Sequence, residues 1–375
     1  MDFLSFLWEY IAQVTWQQAV MWVIGGLLIF LAIKKEMEPA LLLPMGFGAI
    51  LVNLPESGVL GENGIIQWLF DVGIEAAEVF PLLLFIGIGA MIDFGPLLSN
   101  PKLFFFGAAA QLGIFLTLIL ATLCGFELKD AAATAIIGAA DGPTAILVAN
   151  KLQSNYLGAI LVAAYSYMAL VPIIQPITIK LCTTKKERAI KMTYKPGSVT
   201  KLTKILFPIL VTVIAGLIAP ASLALVGFLM FGNLLRECGV LNSLSETAGK
   251  VLSNLITLLL GITIAFQMQG EQFLQWQTLL IMALGLFAFV FDTVGGVFFA
   301  KLINLFSKEK INPMVGAAGI SAFPMSARVV QKLGLEADPS NHLLMHAVGA
   351  NVSGQIASVI AGGLLLQFVG ATLGI

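Results

Sequence analysis

The stretch IGAADGPTAILVANKL, residues 137–152, breaks an apolar run with Gly, Asp and Pro. A second stretch, NPMVGAAGISAFPMSARVV at residues 312–330, is broken in the same way. Irregular backbone at membrane depth is tolerated only where protein or a water-filled cavity surrounds it. The two stretches therefore predict two broken segments enclosed within a membrane protein.

The composition of the whole chain supports a membrane location. Of its 375 residues, 58% are hydrophobic and only 11% are charged, and the mean hydropathy is +0.95. Soluble domains carry about a quarter charged residues, so this composition cannot form a water-soluble surface. The 20 basic and 21 acidic residues balance, which leaves no net field to attract nucleic acid. We predict an all-α polytopic membrane protein.

Loop charge predicts the orientation of the segments. Segment 34–39 begins with Lys34 and Lys35, and basic residues outnumber acidic ones in 183–204 and 301–311, whereas the acidic loops 55–63 and 269–276 contain no base. The positive-inside rule places the first three in the cytoplasm and the last two outside. The number of apolar runs between these loops is consistent with the assigned sides only if each broken segment enters and leaves the membrane on the same side. One re-entrant hairpin then enters from outside and the other from the cytoplasm.

Short internal matches indicate that the two hairpins belong to inverted repeats. GAA occurs at 138–140 and at 316–318, and SNYL at 154–157 is matched by SNHL at 340–343. Inverted repeats with discontinuous helices, and a site between them near the membrane midplane, are typical of secondary transporters. We therefore predict a transporter-like core with additional scaffold helices.

The predicted organisation has six parts. They are an interfacial amphipathic helix at 1–18, scaffold helices at 19–79, repeat 1 at 80–181 with hairpin 131–153, a basic cytoplasmic loop at 182–204, linking helices at 205–250, and repeat 2 at 251–375 with hairpin 312–332.

Asp141 is the strongest candidate for an ion-binding residue. It lies within an apolar run beside Gly142-Pro143, and a carboxylate at this depth usually marks an ion or proton pathway. The broken backbone also frees carbonyl oxygens, which are suitable ligands for a hard cation. The alternative is a helix-capping Asp in a structural turn.

The second hairpin offers neutral oxygens from Asn312 and Ser321, and Gly316 allows close backbone approach. For Gly316 the alternative is small-residue helix packing. Arg328 follows in the same segment, where it is positioned to bind a carboxylate in a bidentate manner. Pairing with Asp141 and snorkelling to the interface are the other interpretations of this arginine.

Further candidates lie outside the hairpins. Tyr167 is a candidate proton donor, with an interfacial anchor as the alternative, and Asn351 is a mid-membrane amide that corresponds to the Tyr165–Tyr167 region of repeat 1. Asp292 and Asp93 are secondary candidates, and pairing with Lys301 is an alternative for Asp292. His342 and His346 have the spacing of half a zinc site. Because no acid or Cys is suitably placed beside them, we expect no transition metal.

Taken together, several motifs resemble the β subunit of sodium-translocating biotin-dependent decarboxylases. This family includes the oxaloacetate, methylmalonyl-CoA, malonate and glutaconyl-CoA enzymes, and the resemblance covers nearly the whole chain. The motifs are GIGAMIDFGPLLSNP (87–101), IIGAADGPTAI (136–146), AYSYMALVPIIQP (164–176), KINPMVGAAGISAFPMSARV (310–329) and HAVGANVSG (346–354).

The resemblance implies an enzyme of the bacterial cytoplasmic membrane that decarboxylates carboxybiotin and exports Na⁺. Carboxybiotin is then supplied by a partner and is not covalently attached to this chain. The implied partners are a carboxyltransferase α subunit, a biotin carrier and a small single-span subunit, in a complex with several copies of this chain. An ordinary Na⁺/carboxylate transporter is the alternative that composition and repeats allow.

The resemblance also implies roles for individual residues. The implied catalytic residues are Asp141, Tyr167 and Arg328. The implied sodium-binding residues are Asp141, Asn312, Gly316, Ser321 and Asn351.

Overall fold

The structure, a computed structural model, describes residues 11–61, 63–193 and 199–374. These residues form α-helices and connecting segments and include no β-strand. Seven continuous helical stretches of the described residues are long and apolar enough to cross a membrane, two of them, Pro101–Leu123 and Asn242–Gln267, made of several consecutive elements, and a bent pair at 65–75 and 79–91 brings the number to eight. The prediction of an all-α polytopic membrane protein is confirmed.

Twenty described α-helices follow one another along the chain. They are α1 (Trp16–Lys35), α2 (Pro39–Val52), α3 (Ile65–Phe70), α4 (Val79–Met91), α5 (Gly95–Ser99), α6 (Phe104–Ala109), α7 (Leu112–Leu123), α8 (Leu128–Ala135), α9 (Gly142–Lys151), α10 (Leu157–Cys182), α11 (Lys185–Arg188), α12 (Lys201–Ile218), α13 (Leu223–Glu237), α14 (Asn242–Glu246), α15 (Ser253–Ile264), α16 (Gly270–Phe273), α17 (Trp276–Phe306), α18 (Pro313–Ala317), α19 (Met325–Ala337) and α20 (Leu344–Leu373).

Shorter helical turns join several of these helices. Two π-helical turns span Asp71–Glu75 and Thr247–Leu252, and 3₁₀ turns span Pro101–Leu103, Ile136–Ala139, Pro220–Ser222 and Ala265–Gln267.

The helix α1 begins earlier than the sequence predicts. A capping box forms at its start, where the Thr15 backbone N–H donates to Gln18 Oε1 at 2.9 Å and the Gln18 N–H donates to Thr15 Oγ1 at 3.3 Å. Trp16 is therefore the first residue of α1, and residues 16–18 belong to a membrane helix and not to an interfacial one. Residues 1–10 of that predicted interfacial helix lie outside the described residues.

The order of elements repeats along the chain. In the first half, α4, the α6–α7 pair, the α8–α9 hairpin and the long helix α10 follow one another. In the second half, α14–α15, α17, the α18–α19 hairpin and the long helix α20 appear in the same order. Each half thus has two membrane segments, one broken hairpin and one long helix.

The two ends of the first hairpin meet. At its start, Asp130 Oδ1 accepts hydrogen bonds from Ser154 Oγ at 2.7 Å and from the Asn155 backbone N–H at 2.9 Å. Asp130 Oδ2 also accepts from Asn155 Nδ2 at 3.1 Å. Helix α9 has ten residues, which gives a length of about 15 Å, roughly half of a hydrocarbon core. The segment therefore enters and leaves on one side.

The two ends of the second hairpin also meet, at the basic loop. Asn312 precedes α18 and Asn341 follows α19, and both donate to backbone carbonyls of Arg188 and Ile190. Helix α10 has 26 residues, so it separates the end of the first hairpin from this loop by about 39 Å. The two hairpins consequently enter the protein from opposite faces.

Candidate functional site

The broken tips of the two hairpins contact each other. Ser321, in the irregular segment between α18 and α19, donates from its backbone N–H to Ala139 O at 3.2 Å. The Ser321 hydroxyl donates to the same oxygen at 2.5 Å. Ala139 ends the 3₁₀ turn that precedes Asp141. These two bonds join the repeats at the middle of the protein.

Asp141 lies at the tip of the first hairpin and is 3% exposed. Ala140 before it has a left-handed backbone with φ of 53°, which turns the chain sharply ahead of α9. Asp141 occupies the N-cap position of α9, but its side chain makes no capping bond. Its Oδ2 accepts instead from Thr144 Oγ1 at 2.6 Å and Ser358 Oγ at 3.1 Å. Asp141 is thus held by side chains at the helix N-terminus, where the dipole favours a carboxylate.

A polar stripe on α20 contacts both tips. Asn351, Gln355 and Ser358 lie four and three residues apart, so they share one helix face. Asn351 Nδ2 donates to Ile320 O at 2.6 Å, Gln355 Nε2 donates to Ser321 O, and Ser358 binds the Asp141 carboxylate. All three side chains are buried. The two hairpin tips therefore pack against this polar face of α20.

Two oxygens of this stripe lack donors. Within the described part of the chain, no donor reaches Asn351 Oδ1 or Gln355 Oε1. Leaving a buried acceptor unsatisfied costs about 1–3 kcal/mol, and a cation would remove that cost. Amide and carboxylate oxygens are hard ligands suited to such an ion. The chemistry of these groups around Asp141 fits a small cation.

Sequence reasoning identified part of this cluster. Asp141, Ser321 and Asn351 are brought together as the sequence suggests, although their role as ligands stays a prediction. Ser358 and Gln355 were not proposed as site residues. The spacing of Asn351, Gln355 and Ser358 on one face of an apolar helix is the signal that would have found them.

Asn312 and Gly316 lie away from the tips. Asn312 caps α18 at the end of the hairpin that meets the basic loop, where its Oδ1 accepts from the Met314 N–H at 3.1 Å and its Nδ2 donates to two carbonyls of that loop. A Cβ added to Gly316 would lie 2.0 Å from Gly296 O on α17. Gly316 therefore allows close helix packing, which is the alternative considered above for this residue.

Two tyrosines of α10 have different surroundings. The Tyr167 hydroxyl donates to Met282 O at 2.5 Å. Tyr165 packs against the residue that follows Asp141, because a Cβ added to Gly142 would lie 2.3 Å from Tyr165 Cζ. The Tyr165 hydroxyl is buried and finds no hydrogen-bond partner among the described residues. Tyr165, and not Tyr167, therefore lies beside the aspartate.

Arg328 lines two cavities. One cavity has a volume of about 430 Å³, and another, of about 510 Å³, also has Arg328 in its wall. Burial raises the pKa of Glu38 in the first cavity, and the nearby charge of Arg328 partly opposes this shift. No ion pair joins Arg328 to Asp141 among the described residues. The first cavity is lined by Glu36, Met37, Glu38, Pro172, Pro176, Lys180, Met325, Arg328, Val329, Lys332, Leu333 and Glu336.

Asp292 holds the break between α6 and α7. Its Oδ1 accepts from the N–H groups of Gly113 and Ile114 at 2.5 and 3.2 Å, so it caps the N-terminus of α7. Lys301, considered above as its partner, instead pairs with Glu187 at 3.0 Å. Asp292 is thus a capping group behind the first hairpin.

Asp93 lies just beyond the C-terminal end of α4, and its position near the cytoplasmic interface stays a prediction. It pairs with Lys204 at 3.3 Å and with Arg236 at 3.9 Å. These contacts link the basic loop to α13, at a distance from the joined hairpin tips.

Comparison with known proteins identifies the family. The family model described as the Na⁺-transporting oxaloacetate decarboxylase beta subunit matches residues 17–369. The glutaconyl-CoA decarboxylase subunit beta of Acidaminococcus fermentans is 49% identical and covers 95% of this chain and 94% of its own. The methylmalonyl-CoA decarboxylase subunit beta of Veillonella parvula is also 49% identical, over 94% and 93%. The oxaloacetate decarboxylase beta chain of Klebsiella pneumoniae is 43% identical, over 94% and 95%.

These similarities extend over nearly the full length of the relatives and agree with the helical membrane fold. They confirm the family resemblance seen in the sequence and do not favour the stand-alone transporter. They also support a location in the bacterial inner membrane. The chain belongs to the family of β subunits of Na⁺-pumping decarboxylases, whose members include oxaloacetate, methylmalonyl-CoA and glutaconyl-CoA decarboxylases.

Proposed function

We propose that this chain decarboxylates carboxybiotin presented by a partner biotin carrier and couples the reaction to Na⁺ export. The observation that carries the proposal is the junction of the two hairpin tips around Asp141. It provides a carboxylate and donor-free amide oxygens between elements that enter from opposite faces. An ion bound at such a junction can be exposed first to one side of the membrane and then to the other.

Asp141, Asn351 and Gln355 bind the ion through their side-chain oxygens in this proposal. Ser321 acts at the same junction, where it already holds the carbonyl of Ala139. Asn312 and Gly316 contribute by fixing the second hairpin. The contact of Asn312 with the basic loop and the close packing of Gly316 against α17 support these structural roles.

Arg328 binds the carboxylate of carboxybiotin at the cytoplasmic cavity. Its guanidinium offers two parallel N–H groups that match a carboxylate, and the cavity opens where a carrier in the cytoplasm has access. In the reaction the N–C bond breaks, CO₂ leaves, and the biotin nitrogen takes up a proton. Tyr167 or a water is the proposed source of that proton, and the Tyr165 hydroxyl beside Asp141 is a second candidate.

Coupling requires that the ion site faces opposite sides before and after decarboxylation. A ligand shifts such an equilibrium only through different affinity for the two states. We assign the change to movement of the hairpin-bearing core against the scaffold helices, as in transporters with inverted repeats.

The proposed complex contains a carboxyltransferase α subunit, a biotin carrier and a small single-span subunit. It also contains more than one copy of this chain. Helices and short connections account for the described residues, so the carboxyl transfer and the biotin attachment are assigned to partners.

Decarboxylation of free N1-carboxybiotin by the purified complex tests the proposal. We expect turnover that requires Na⁺ and moves ²²Na⁺ into inverted membrane vesicles. Sodium-driven uptake of a small acid by this chain alone would instead support a transporter. Turnover that is independent of Na⁺ would contradict the proposed coupling.

A further inference from the structure

The second hairpin connects two separate places. Its tip, at Ser321, lies in the ion-binding junction, and its arm α19 carries Arg328 at the cytoplasmic cavity. The arms α18 and α19 are separated by the irregular segment 318–324. A signal that passes from the cavity to the tip must therefore leave α19 and enter this irregular segment, whose position relative to both arms has to be held.

Gln175 spans that break from the neighbouring helix α10. Its Nε2 donates to Ala317 O at 2.8 Å and to Ser326 Oγ at 2.7 Å. Ala317 is the last residue of α18 and Ser326 is the second residue of α19. One buried amide group thus holds both arms.

The position of Gln175 also relates it to the cavity. Pro172 and Pro176 flank it on α10, and both line the cavity that contains Arg328. Ser326 lies two residues before Arg328 in the first turns of α19. Gln175 itself is fully buried, and its amide contacts Ala317 and Ser326, which stand on either side of the irregular tip segment.

The hydrogen bonds of this cluster allow two arrangements. The Ser326 hydroxyl has one proton, and two acceptors are within reach. Gln175 Oε1 is 3.0 Å away and Ala317 O is 3.4 Å away. A displacement of α19 at Arg328 favours one acceptor over the other, which provides the two-state element that a physical coupling needs.

We propose that Gln175 is a positioning residue that couples carboxybiotin binding at Arg328 to Na⁺ binding at the hairpin tips. The inference rests on the proposed function, because it assigns these two ligands to these two places. It adds a role for a residue of α10 that contacts neither ligand. In the coupled protein, saturating Na⁺ lowers the KM for carboxybiotin.

The experiment uses the purified complex with free N1-carboxybiotin as substrate, and measures KM at low and at saturating Na⁺. For the unmodified protein we expect a ratio of about ten, within the usual range of coupling between sites. Gln175→Glu keeps the shape of the side chain but removes both N–H donors, and Gln175→Leu removes all polar contacts. Both should reduce the ratio to about one or two.

Thr178→Val is the matched control. Thr178 is buried on the same helix, and its hydroxyl bonds only to Ile174 O of its own helix. This variant should keep the full ratio. Ser326→Ala is the milder second variant, and it should lower the ratio without a further loss when combined with Gln175→Leu.

The outcomes separate the two proposals. If the unmodified complex shows Na⁺-independent turnover, the proposed function fails and the Gln175 inference fails with it. If the unmodified complex is coupled but Gln175→Glu and Ser326→Ala keep the full ratio, only the Gln175 inference is overturned. Loss of the ratio in Thr178→Val as well would also overturn it, because any change in α10 would then have the same effect.

Discussion

Asn312 and Asn341, at opposite ends of the second hairpin, donate hydrogen bonds to the same two carbonyl oxygens. Asn312 Nδ2 lies 2.8 Å from both Arg188 O and Ile190 O, and Asn341 Nδ2 lies 3.1 and 3.2 Å from them. The basic loop therefore holds the two ends of the hairpin together. Both Asn side chains are buried, and these hydrogen bonds offset the cost of burying their N–H groups.

This arrangement predicts that Asn341→Ala loosens the loop. Each neutral hydrogen bond contributes about 1 kcal/mol, so we expect trypsin to cleave within 185–191 several-fold faster in inverted membranes. Ser340→Ala is the control, because Ser340 is exposed and bonds only to Asp338. Equal cleavage of the two variants would show that the Asn341 bonds do not hold the loop.

Asp141→Asn should abolish Na⁺-dependent decarboxylation while the complex still assembles. The substitution keeps the size of the side chain but removes the full negative charge proposed to hold the ion. Initial rates against Na⁺ test this, with co-purification of the partner subunits as the check on assembly. Sodium-stimulated turnover in the variant would make Asp141 a structural residue and Asp292 the next candidate.

Arg328→Lys and Ser321→Ala should show opposite profiles. Lysine keeps the charge but loses the planar fork, so we expect a roughly 10- to 100-fold lower rate at saturating Na⁺ with Na⁺ binding little changed. Ser321→Ala should raise the half-saturating Na⁺ about fivefold, as expected for one lost polar contact, with a smaller effect on the maximum rate. A shared profile would mean that ion and carboxylate sites are not separate.

Gln355→Met should weaken Na⁺ binding, because it keeps the volume but removes an amide oxygen that has no other partner. We expect the half-saturating Na⁺ to rise about fivefold to tenfold, comparable to one polar contact. Ser353→Ala is the control on the same helix, since Ser353 bonds to Leu103 O and the Gly107 N–H away from the tips. Direct ²²Na⁺ binding measures both. No difference between them would remove Gln355 from the site.

Glu38→Gln should lower the KM for carboxybiotin about threefold at neutral pH, because it removes a negative charge that competes for Arg328. Burial raises the pKa of Glu38, so in the unmodified protein this carboxylate is neutralised as the pH falls toward the raised pKa. The KM of the unmodified complex for carboxybiotin should therefore decrease as the pH is lowered, whereas the KM of Glu38→Gln should change less.

The other charged groups that line this cavity make a control possible. Glu36, Lys180, Lys332 and Glu336 are exposed there, and Glu36→Gln tests whether any lost acid has the same effect. If Glu36→Gln and Glu38→Gln behave alike, the special role of Glu38 is refuted.

Local sequence was sufficient to predict the two hairpins. Gly142-Pro143 and Asn312-Pro313 interrupt apolar runs, and a Pro in the first turn favours the start of a new helix at that point. The charges of 183–204 predict the side of the membrane from which each hairpin enters. These are properties of consecutive residues, and a linear pattern is enough to determine them.

The partners of the site residues depended on the tertiary structure. Asn312 and Ser321 belong to one motif, yet the first binds the cytoplasmic loop and the second meets Ala139 at the junction. Tyr165 and Tyr167 lie two residues apart on one helix and therefore point in different directions, and only packing against Gly142 shows which one adjoins Asp141.

The sequence by itself determined that this chain crosses the membrane, is broken at two hairpins and carries an intramembrane carboxylate at Asp141. The tertiary structure decided which groups meet at the junction, because Ser358 binds that carboxylate, and Asn351 and Gln355 bind the second hairpin tip, from a helix more than two hundred residues further along the chain. A buried polar group at membrane depth must find a partner. The choice of partner follows from how the two halves pack, which no local pattern specifies.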